Sequence, residues 1–449
     1  MLFLLILIYP ARIFCYFPSE NVEHLTDNFF ANLQEHPNIK GNTLEESEAF
    51  INKQVENYVA LIEQTHGTIE HRLHRRSLPI DHTITLIKDN AGIYVLDGVI
   101  PEYGIKVQLP KDIHLFSYET EAGEAWYGAA LETVNGTVGN DLVIFKYENR
   151  QFSLINKIPV RNGVRLATIS IDGGVCIIVA ENNAIGVKMH NKTQVIKFIP
   201  STGQLTHIQF LDAEYASDVA LWTEHNEIFM TLATYMKSED QYEVNQPIYQ
   251  WLGRHFDTIG YIKTYGAKKV TPFIIGNGHY LAVANFQNNF GNTNIYSEIY
   301  KYNRHLERFE SYQKILTTAA VDVKHFAFKG EKGAEHFLVF ANFFEAGING
   351  SRSYETISIV YKYVDQFFIP FQSFKLNGVT QWLPVTGPLG EFALLAACEF
   401  DGLKVFQYDG WRFTESNVQY TSEAFTKGIL SMKAYNLDNK IFVDLGFSL

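Results

Sequence analysis

The stretch Ile299-Tyr300-Lys301-Tyr302 is one of five copies of a pattern that runs aliphatic, aromatic, lysine or glutamine, aromatic. A phenylalanine follows every copy within a few residues. Self-similarity with a period of roughly 45 to 60 residues indicates a propeller or a solenoid. The other copies are Ile144-Phe145-Lys146-Tyr147, Ile248-Tyr249-Gln250-Trp251, Val360-Tyr361-Lys362-Tyr363 and Val405-Phe406-Gln407-Tyr408, and the phenylalanines are Phe152, Phe256, Phe309, Phe367 and Phe413.

A second landmark falls between these copies: an apolar run that ends in alanine. The anchoring alanines are Ala130, Ala180, Ala233, Ala284, Ala341 and Ala397. Each run is preceded by another apolar run and a tight turn, most clearly at Asp172-Gly173-Gly174 and Asn277-Gly278. Asp-Gly, Gly-Gly and Asn-Gly provide the positive φ that two-residue hairpin turns require. Both landmarks therefore predict β-strands.

Each repeat is then interpreted as four strands. Strand a follows the phenylalanine, strands b and c form the hairpin, and strand d is the aromatic element. Strand c is almost continuously apolar whereas strand d alternates, which predicts c buried on both faces and d at the outer edge. In the second repeat, Val187-Lys188-Met189-His190 is taken as a degenerate strand d. Four-stranded sheets arranged radially form a β-propeller.

Six alanine-anchored strands and a last hairpin, from Ile429 to Phe447, predict seven blades, but the chain stops before a seventh strand d. An unpaired edge promotes aggregation, so we expect a strand from residues 84–97 to close the last blade. The predicted fold is all-β: a seven-bladed β-propeller of four-stranded antiparallel blades over residues 81–449, with a short N-terminal helical segment.

The repeats resemble the EAR repeat, also called the EPTP or epitempin repeat. The fifth blade carries the resemblance most closely through Phe309, Gln313, Ile315, Thr317, Ala320, Asp322, Phe326 and Ala341-Asn342. The fourth blade has Lys269 where the pattern favours aspartate. The resemblance covers residues 84–449 and includes the propeller part of the secreted leucine-rich glioma-inactivated proteins. It implies a propeller fold.

The beginning of the chain differs in character. Residues 1–17 are a short apolar run that resembles a secretory signal peptide and is too short for a bilayer span. Residues 18–80 contain apolar residues at helical spacing and are interpreted as a helical segment, or a pro-segment. Arg72, Arg75 and Arg76 form a candidate cleavage site for a secretory-pathway convertase; the alternative is a cationic helix C-terminus.

Three sequons, at Asn135, Asn191 and Asn349, support export, because they are acceptors for N-glycans. Cys176 and Cys398 lie in inner strands of blades two and six, which do not touch on a seven-fold ring. A disulfide between them is not expected. We predict two buried free thiols that act as small apolar side chains.

The formal net charge of −12, without a cluster of Lys and Arg outside the linker, excludes nucleic acid and anionic membranes as partners. No catalytic motif is present, so we predict a protein that is not an enzyme. No cofactor is expected. Asp322 is a candidate ligand for a structural calcium ion in the central channel, because hard cations take oxygen ligands.

The predicted function is a secreted, extracellular interaction scaffold that binds a protein, receptor or matrix component through its loops. The alternative is a secreted hydrolase or lyase that acts at the channel mouth. Asn135 and Asn349 fall in c-to-d connections, and Asn191 is assigned to a d-to-a connection. Because glycans exclude a close partner, we expect binding on the opposite face, at a patch formed by Asn277, Glu331, Glu335 and Pro388.

Overall fold

Apolar runs that alternate with tight turns fold into antiparallel strands throughout this chain. We describe the protein from a computed structural model. It describes residues 87–88, 94–95, 110–120, 123–133, 140–149, 151–182, 192–213, 215–238, 240–330, 333–347, 350–386, 392–415, 428–437 and 440–447. Within these ranges the chain is all-β.

The strands form six four-stranded sheets, blades 1 to 6, and several two-stranded ones. Ahead of the blades lie β1 (Ile87–Lys88) and β2 (Tyr94–Val95). Blade 1 contains β3 (Pro110–Thr120), β4 (Gly123–Thr133), β5 (Asn140–Glu148) and β6 (Gln151–Val160). Blade 2 contains β7 (Gly163–Ile171), β8 (Gly174–Glu181), β9 (Thr193–Ile199) and β10 (Gln204–Leu211). Blade 3 contains β11 (Ala216–Glu224), β12 (Glu227–Thr234), β13 (Glu243–Trp251) and β14 (Phe256–Tyr265).

The remaining blades follow the same order. Blade 4 contains β15 (Ala267–Ile275), β16 (Gly278–Asn285), β17 (Asn294–Asn303) and β18 (Arg308–Thr318). Blade 5 contains β19 (Ala320–Gly330), β20 (Gly333–Asn342), β23 (Glu355–Val364) and β24 (Phe367–Asn377), with the small pair β21 (Glu345–Ala346) and β22 (Arg352–Ser353) between them. Blade 6 contains β25 (Val379–Thr386), β26 (Phe392–Cys398), β27 (Gly402–Tyr408) and β28 (Phe413–Glu415). The last hairpin is β29 (Ile429–Leu437) and β30 (Lys440–Phe447).

The first strands of the sheets pack against one another in chain order, from β3 through β7, β11, β15, β19 and β25 to β29. An ion pair of 2.7 Å between Lys433 Nζ in β29 and Asp112 Oδ1 in β3 brings the last hairpin beside the first blade. Sheets whose first strands follow one another around a common centre are the blades of a β-propeller.

All six anchoring alanines lie in second strands with no exposed surface, as predicted. The order of the outer strands was predicted wrongly. Each aromatic element is the third strand, and the strand that begins at the following phenylalanine pairs with it and forms the outer edge. Strand a of one repeat therefore completes the sheet of the repeat before it.

The predicted strand d of blade 2 is also wrong. The strand that pairs with β8 is β9, in which Val195-Ile196-Lys197-Phe198 matches the register of Ile299-Tyr300-Lys301-Tyr302. Residues 187–190 lie outside the described part of the chain. Asn191 consequently lies between a second and a third strand, in the same type of connection as Asn135 and Asn349, and not in a d-to-a connection.

The strand directions define two ends of each blade. The hairpin face carries the turns between first and second strands and between third and fourth strands, such as residues 276–277 and 304–307 in blade 4. The loop face carries the connections between second and third strands, such as residues 286–293, and the links between blades. All three sequons belong to connections of the loop-face type.

Glutamine side chains join the outer strands of consecutive blades. Gln313 Nε2 in β18 donates to the carbonyl of Phe368 in β24 at 2.8 Å, and the Phe368 amide donates to Gln313 Oε1 at 2.9 Å. The same pair of bonds connects Gln209 to Phe256 and Gln372 to Phe413. Three glutamines thus hold neighbouring blades together through Phe256, Phe368 and Phe413. In blade 5 the residue in the register of Phe256 and Phe413 is Phe368, and not Phe367 as the sequence pattern predicted.

The links between blades need an unusual backbone conformation. Gly266 has a φ of +56° between blades 3 and 4, and its amide donates to the Tyr242 carbonyl at 2.7 Å. Its carbonyl accepts from the Phe286 amide at 3.2 Å. A Cβ at this position would lie 2.8 Å from the Gln287 carbonyl oxygen. Both the left-handed φ and the close approach therefore favour glycine here.

Several predictions fall on residues outside the described ranges. These are the signal peptide at 1–17, the helical segment at 18–80, Arg72, Arg75, Arg76, the three sequon asparagines, Glu331 and Pro388. Of residues 84–97, the structure describes β1 and β2, which pair with each other. Closure of the last blade by this segment stays a prediction.

The two described cysteines are free and buried, as predicted. Cys176 lies at the hairpin end of β8, whereas Cys398 ends β26, so the two do not occupy equivalent positions. Burial raises the pKa of each thiol to about 12. Both side chains pack as small apolar groups in separate clusters of the core.

Candidate functional site

Asn277, a predicted partner-binding residue, is exposed in the turn between β15 and β16. Its carbonyl accepts a hydrogen bond of 3.3 Å from Arg304 Nη2, in the next turn on the hairpin face. The bond holds the two turns of blade 4 side by side. Glu335, also predicted, is half-buried in β20 and pairs with Lys362 Nζ at 3.1 Å. The described part of the predicted patch therefore lies on one face of blades 4 and 5.

Titratable side chains connect this patch to blade 3. His279 Nε2, at the start of β16, lies 2.9 Å from Glu224 Oε1, at the end of β11. The His225 ring lies 6.3 Å from the His279 ring. Burial lowers the pKa of His279, and Arg304 and His225 add to this, although Glu224 opposes it. Neighbouring hairpins are thus held together by a polar contact.

Three aliphatic side chains on the hairpin face are exposed. Ile274, the penultimate residue of β15, has 49% of its surface accessible, and Leu306 lies in the turn beside Asn277 with 52% accessible. Leu252 lies in the corresponding turn of blade 3 with 53% accessible. These apolar side chains stand among the polar groups of the same turns. We call Leu252, Ile274, Asn277, Arg304 and Leu306 the hairpin patch.

The loop face carries a different set of groups. Lys268 Nζ lies 3.4 Å from the ring centroid of Tyr235 and 5.3 Å from that of Phe286. Burial lowers the pKa of this lysine to about 8. Tyr235 and Phe286 are half-buried and pack edge to face, so their rings mainly cover the ends of the strands. Phe290 is the exception, with 93% of its surface exposed.

The centre of the ring is strongly charged. Five consecutive blades carry a charged residue at the same place in their first strand. This residue lies two positions after the start of the strand, just past a β-bulge. These residues are spaced 53, 53, 51 and 53 apart in the chain: Asp112, Arg165, Asp218, Lys269 and Asp322. Lys324 and Lys433 lie two residues further along β19 and β29 than this position. We call these seven residues the channel cluster.

Ion pairs connect the cluster from blade to blade. Lys269 Nζ lies 2.8 Å from Asp218 Oδ2, and Lys324 Nζ lies 3.8 Å from Asp322 Oδ1. The electrostatic influence of Lys269 in blade 4 reaches Lys433 in β29 and the half-buried His114 in β3. Burial, followed by the influence of Lys433, lowers the pKa of His114 to about 3.

Two carboxylates of the cluster also accept hydrogen bonds from backbone amides. Asp112 Oδ2 accepts from the Leu166 amide at 2.7 Å, and Asp322 Oδ2 accepts from the Trp382 amide at 2.9 Å. Burial opposes the charge of Asp112, but the ammonium of Lys433 and the guanidinium of Arg165 outweigh it, so its pKa is lowered. Burial raises the pKa of Asp322 despite its lysine neighbours.

Asp322 was the predicted calcium ligand. The structure places it in the channel cluster with Lys324 near one oxygen and the Trp382 amide on the other. Among the described residues, no group of three or more His, Cys, Asp or Glu side chains is arranged to hold a metal ion. An ammonium group therefore occupies the place beside the carboxylate where a cation would bind.

Sequence reasoning found Asp322 and noticed Lys269, but missed the other members of the cluster. The signal was present: in five consecutive blades a charged residue recurs at nearly constant spacing, two positions after the residue that begins the first strand. It was overlooked because aspartate, arginine and lysine alternate at this position, and the pattern is one of charge and not of residue type.

Comparison with known proteins bears on the identity of these repeats. The family model described as "EPTP domain" matches residues 255–303 and 308–364. A thrombospondin-type laminin G domain and EAR repeat-containing protein is 34% identical in Mus musculus and 31% identical in Homo sapiens. Each match covers 137 residues, which is 30% of this chain and 19% of the relative, so the chain spans about a fifth of the relatives' length. The predicted resemblance to the EAR/EPTP repeat family is confirmed.

Solved structures with a similar backbone include a periplasmic gluconolactonase of Pseudomonas aeruginosa. Its identity is 11% and its TM-score 0.47, over 75% of this chain and 94% of that one. A fucose-binding, six-bladed β-propeller lectin of Aleuria aurantia has 11% identity and a TM-score of 0.40, over 70% of this chain and 96% of that one. In the described part of the protein, no helix is both long enough and apolar enough to cross a membrane.

Proposed function

We propose that this chain is a secreted, non-enzymatic scaffold that binds an extracellular protein, receptor or matrix component through the hairpin face of a seven-bladed propeller. The observation that carries the proposal is the hairpin patch, where exposed Ile274 and Leu306 flank the Arg304–Asn277 hydrogen bond. Exposed apolar side chains around an arginine resemble the centre of many protein interfaces.

The position of the sequons also favours the hairpin face as the binding surface. Asn135, Asn191 and Asn349 all fall in connections between second and third strands, which belong to the loop face. Glycans on these asparagines would crowd the loop face and leave the hairpin face free. In this proposal removal of the signal peptide leaves a chain that begins near residues 16–19, and convertase cleavage after Arg75 or Arg76 then separates the helical segment from the propeller.

The proposed ring has seven blades because β29 already lies beside blades 6 and 1. Residues 84–97 would then add the strands that the last blade lacks. The alternative, a hydrolase or lyase at the channel mouth, needs carboxylates that are free to act as acid and base. Pairing of Asp112 and Asp218 with lysines supports the scaffold instead.

Proximity labelling with the tagged, secreted protein tests the proposal. The double variant Ile274→Glu/Leu306→Glu should remove the partner that the wild type labels while secretion continues, because it places two charges in an apolar contact. Phe290→Glu, at the most exposed aromatic residue of the loop face, is the matched control and should label the same partner. The opposite result would move the binding site to the loop face.

Glycosylation and N-terminal processing are tested on the same secreted protein. Glycosidase treatment should shift the electrophoretic mobility, and single Asn→Gln changes at residues 135, 191 and 349 should each remove part of that shift. The intact mass of the secreted protein should correspond to a chain that begins after Arg75 or Arg76. An unshifted band contradicts the glycosylation, and an uncut N-terminal segment contradicts the processing.

A further inference from the structure

Cations outnumber carboxylates in the channel cluster. Within the described residues it contains Arg165, Lys269, Lys324 and Lys433 but only three aspartates. All three lysine side chains are largely covered by protein, and 18–27% of the surface of each remains accessible to solvent. Side chains that are enclosed by protein and still reach solvent line a channel. The channel therefore has a net positive charge at this level.

The excess charge is concentrated on two members of the cluster. Lys269 and Lys433 each lie within 2.8 Å of an aspartate oxygen. Arg165 Nη1 is 4.0 Å from Asp112 Oδ1, which Lys433 already contacts, and Lys324 Nζ is 3.8 Å from Asp322 Oδ1. Both of these distances exceed that of a charge-assisted hydrogen bond, which is about 2.7–2.9 Å. Arg165 and Lys324 therefore keep donors that no carboxylate uses fully.

The positive charges of the cluster also act on one another electrostatically. Burial lowers the pKa of Lys324, and the positive charges of Lys269 and Arg165 lower it further against the opposing effect of Asp322. Lys433 experiences the same influence from Arg165 and Lys269. A negative charge between these side chains would relieve both effects.

We propose that the central channel binds a small oxyanion, such as sulfate or phosphate, at the channel cluster, with Arg165 and Lys324 as donors and Lys269 and Lys433 adding to the positive potential. Guanidinium groups donate two parallel hydrogen bonds to an oxyanion, and an ammonium group adds a point charge. Arg165 is two positions into its first strand, near the blade link. The ion therefore enters from the mouth of the channel on the loop face.

A divalent cation is the opposite occupant and fits less well. It would have to displace the Lys269 ammonium from Asp218 and approach Asp322 past Lys324, and it would add charge to a site that already has an excess of positive charge. The inference concerns the channel alone and is independent of whether the hairpin patch binds a partner.

The test uses the purified, full-length protein without any partner. Isothermal titration with sodium sulfate, against sodium chloride at matched ionic strength, should show saturable binding of one sulfate and a saturable rise in Tm. Lys324→Met should weaken sulfate binding at least tenfold, because the lysine loses its charge and keeps its apolar stem. Lys375→Met, which removes an exposed lysine that pairs with Glu355 on the rim, is the matched control and should bind sulfate normally.

Two results would overturn the inference. One is sulfate binding to Lys324→Met with wild-type affinity, and the other is a saturable response to calcium chloride without one to sulfate. Arg165→Met is measured as a second variant, and circular dichroism establishes that each variant is folded. If Arg165→Met does not fold, the comparison between Lys324→Met and Lys375→Met decides the matter.

Discussion

Replacing Gln313 by methionine should separate blade 4 from blade 5 at their outer edges. Gln313 is 5% exposed and its partner Phe368 is 1% exposed, so water cannot readily replace the lost amide. The variant leaves two backbone groups of Phe368, one donor and one acceptor, without the bonds they now make. Each buried, unpaired group costs about 1–3 kcal/mol, so we expect a loss of about 2–6 kcal/mol.

Methionine has nearly the volume of glutamine, so the loss reports hydrogen bonding and not a cavity. The free energy of unfolding is measured from urea denaturation of the secreted protein, followed by tryptophan fluorescence. Gln151→Met, at the exposed first residue of β6, is the control and should change stability by less than about 0.5 kcal/mol. Gln372→Met, which breaks the same bonds at a half-buried position, should give an intermediate loss. A Gln313→Met variant as stable as the control would refute the role of glutamine in joining blades.

Three further predictions follow from backbone geometry and titration. Gly266→Ala should destabilise the protein by more than about 1 kcal/mol in urea unfolding, since alanine must adopt a positive φ and its Cβ would meet the Gln287 carbonyl at 2.8 Å; unchanged stability would contradict the proposed strain. Because burial raises the pKa of Cys176 and Cys398 to about 12, Ellman's reagent should label neither thiol at pH 8 until denaturant is added; rapid labelling of the native protein would show that a thiol is accessible. Burial lowers the pKa of His325 to about 3 from 6.5, so its contribution to stability is full above pH 6.5 and declines as the pH falls towards 3. His325→Phe should therefore flatten the acid side of a plot of urea midpoint against pH, and an unaltered slope would refute the assignment.

The strands were predictable from the sequence because alternation and turn residues are local signals. The repeat pattern located five of the six third strands, and the alanine-ended runs located every second strand of blades 1 to 6. The third strand of blade 2 was missed because Ile196 stands where the other copies have their first aromatic residue. Its register with β8 identifies it without ambiguity.

The outer edge of each blade could not be predicted by the same reasoning. Third and fourth strands both alternate polar and apolar residues, as β17 and β18 show, so periodicity does not distinguish which lies outermost. The distinction depends on pairing between segments and on the bonds of Gln313 to the next blade. The channel cluster depends likewise on the convergence of several first strands, which only the closed arrangement of blades brings about.

The residues that carry the family resemblance have structural roles in this protein. Gln313 joins outer strands through its bonds to the Phe368 backbone, and Asp322 binds the Trp382 amide of the next blade. Asn342 accepts a hydrogen bond of 3.1 Å from the Thr318 amide at the link between blades. A shared repeat pattern therefore implies a shared way of joining blades and does not by itself imply a shared partner. The two proposals accordingly place recognition on residues that the pattern leaves variable. In the described chain these are the hairpin patch and, in the channel, Arg165, at a position where the charge varies while the backbone place repeats, together with Lys324 two residues beyond that position in β19.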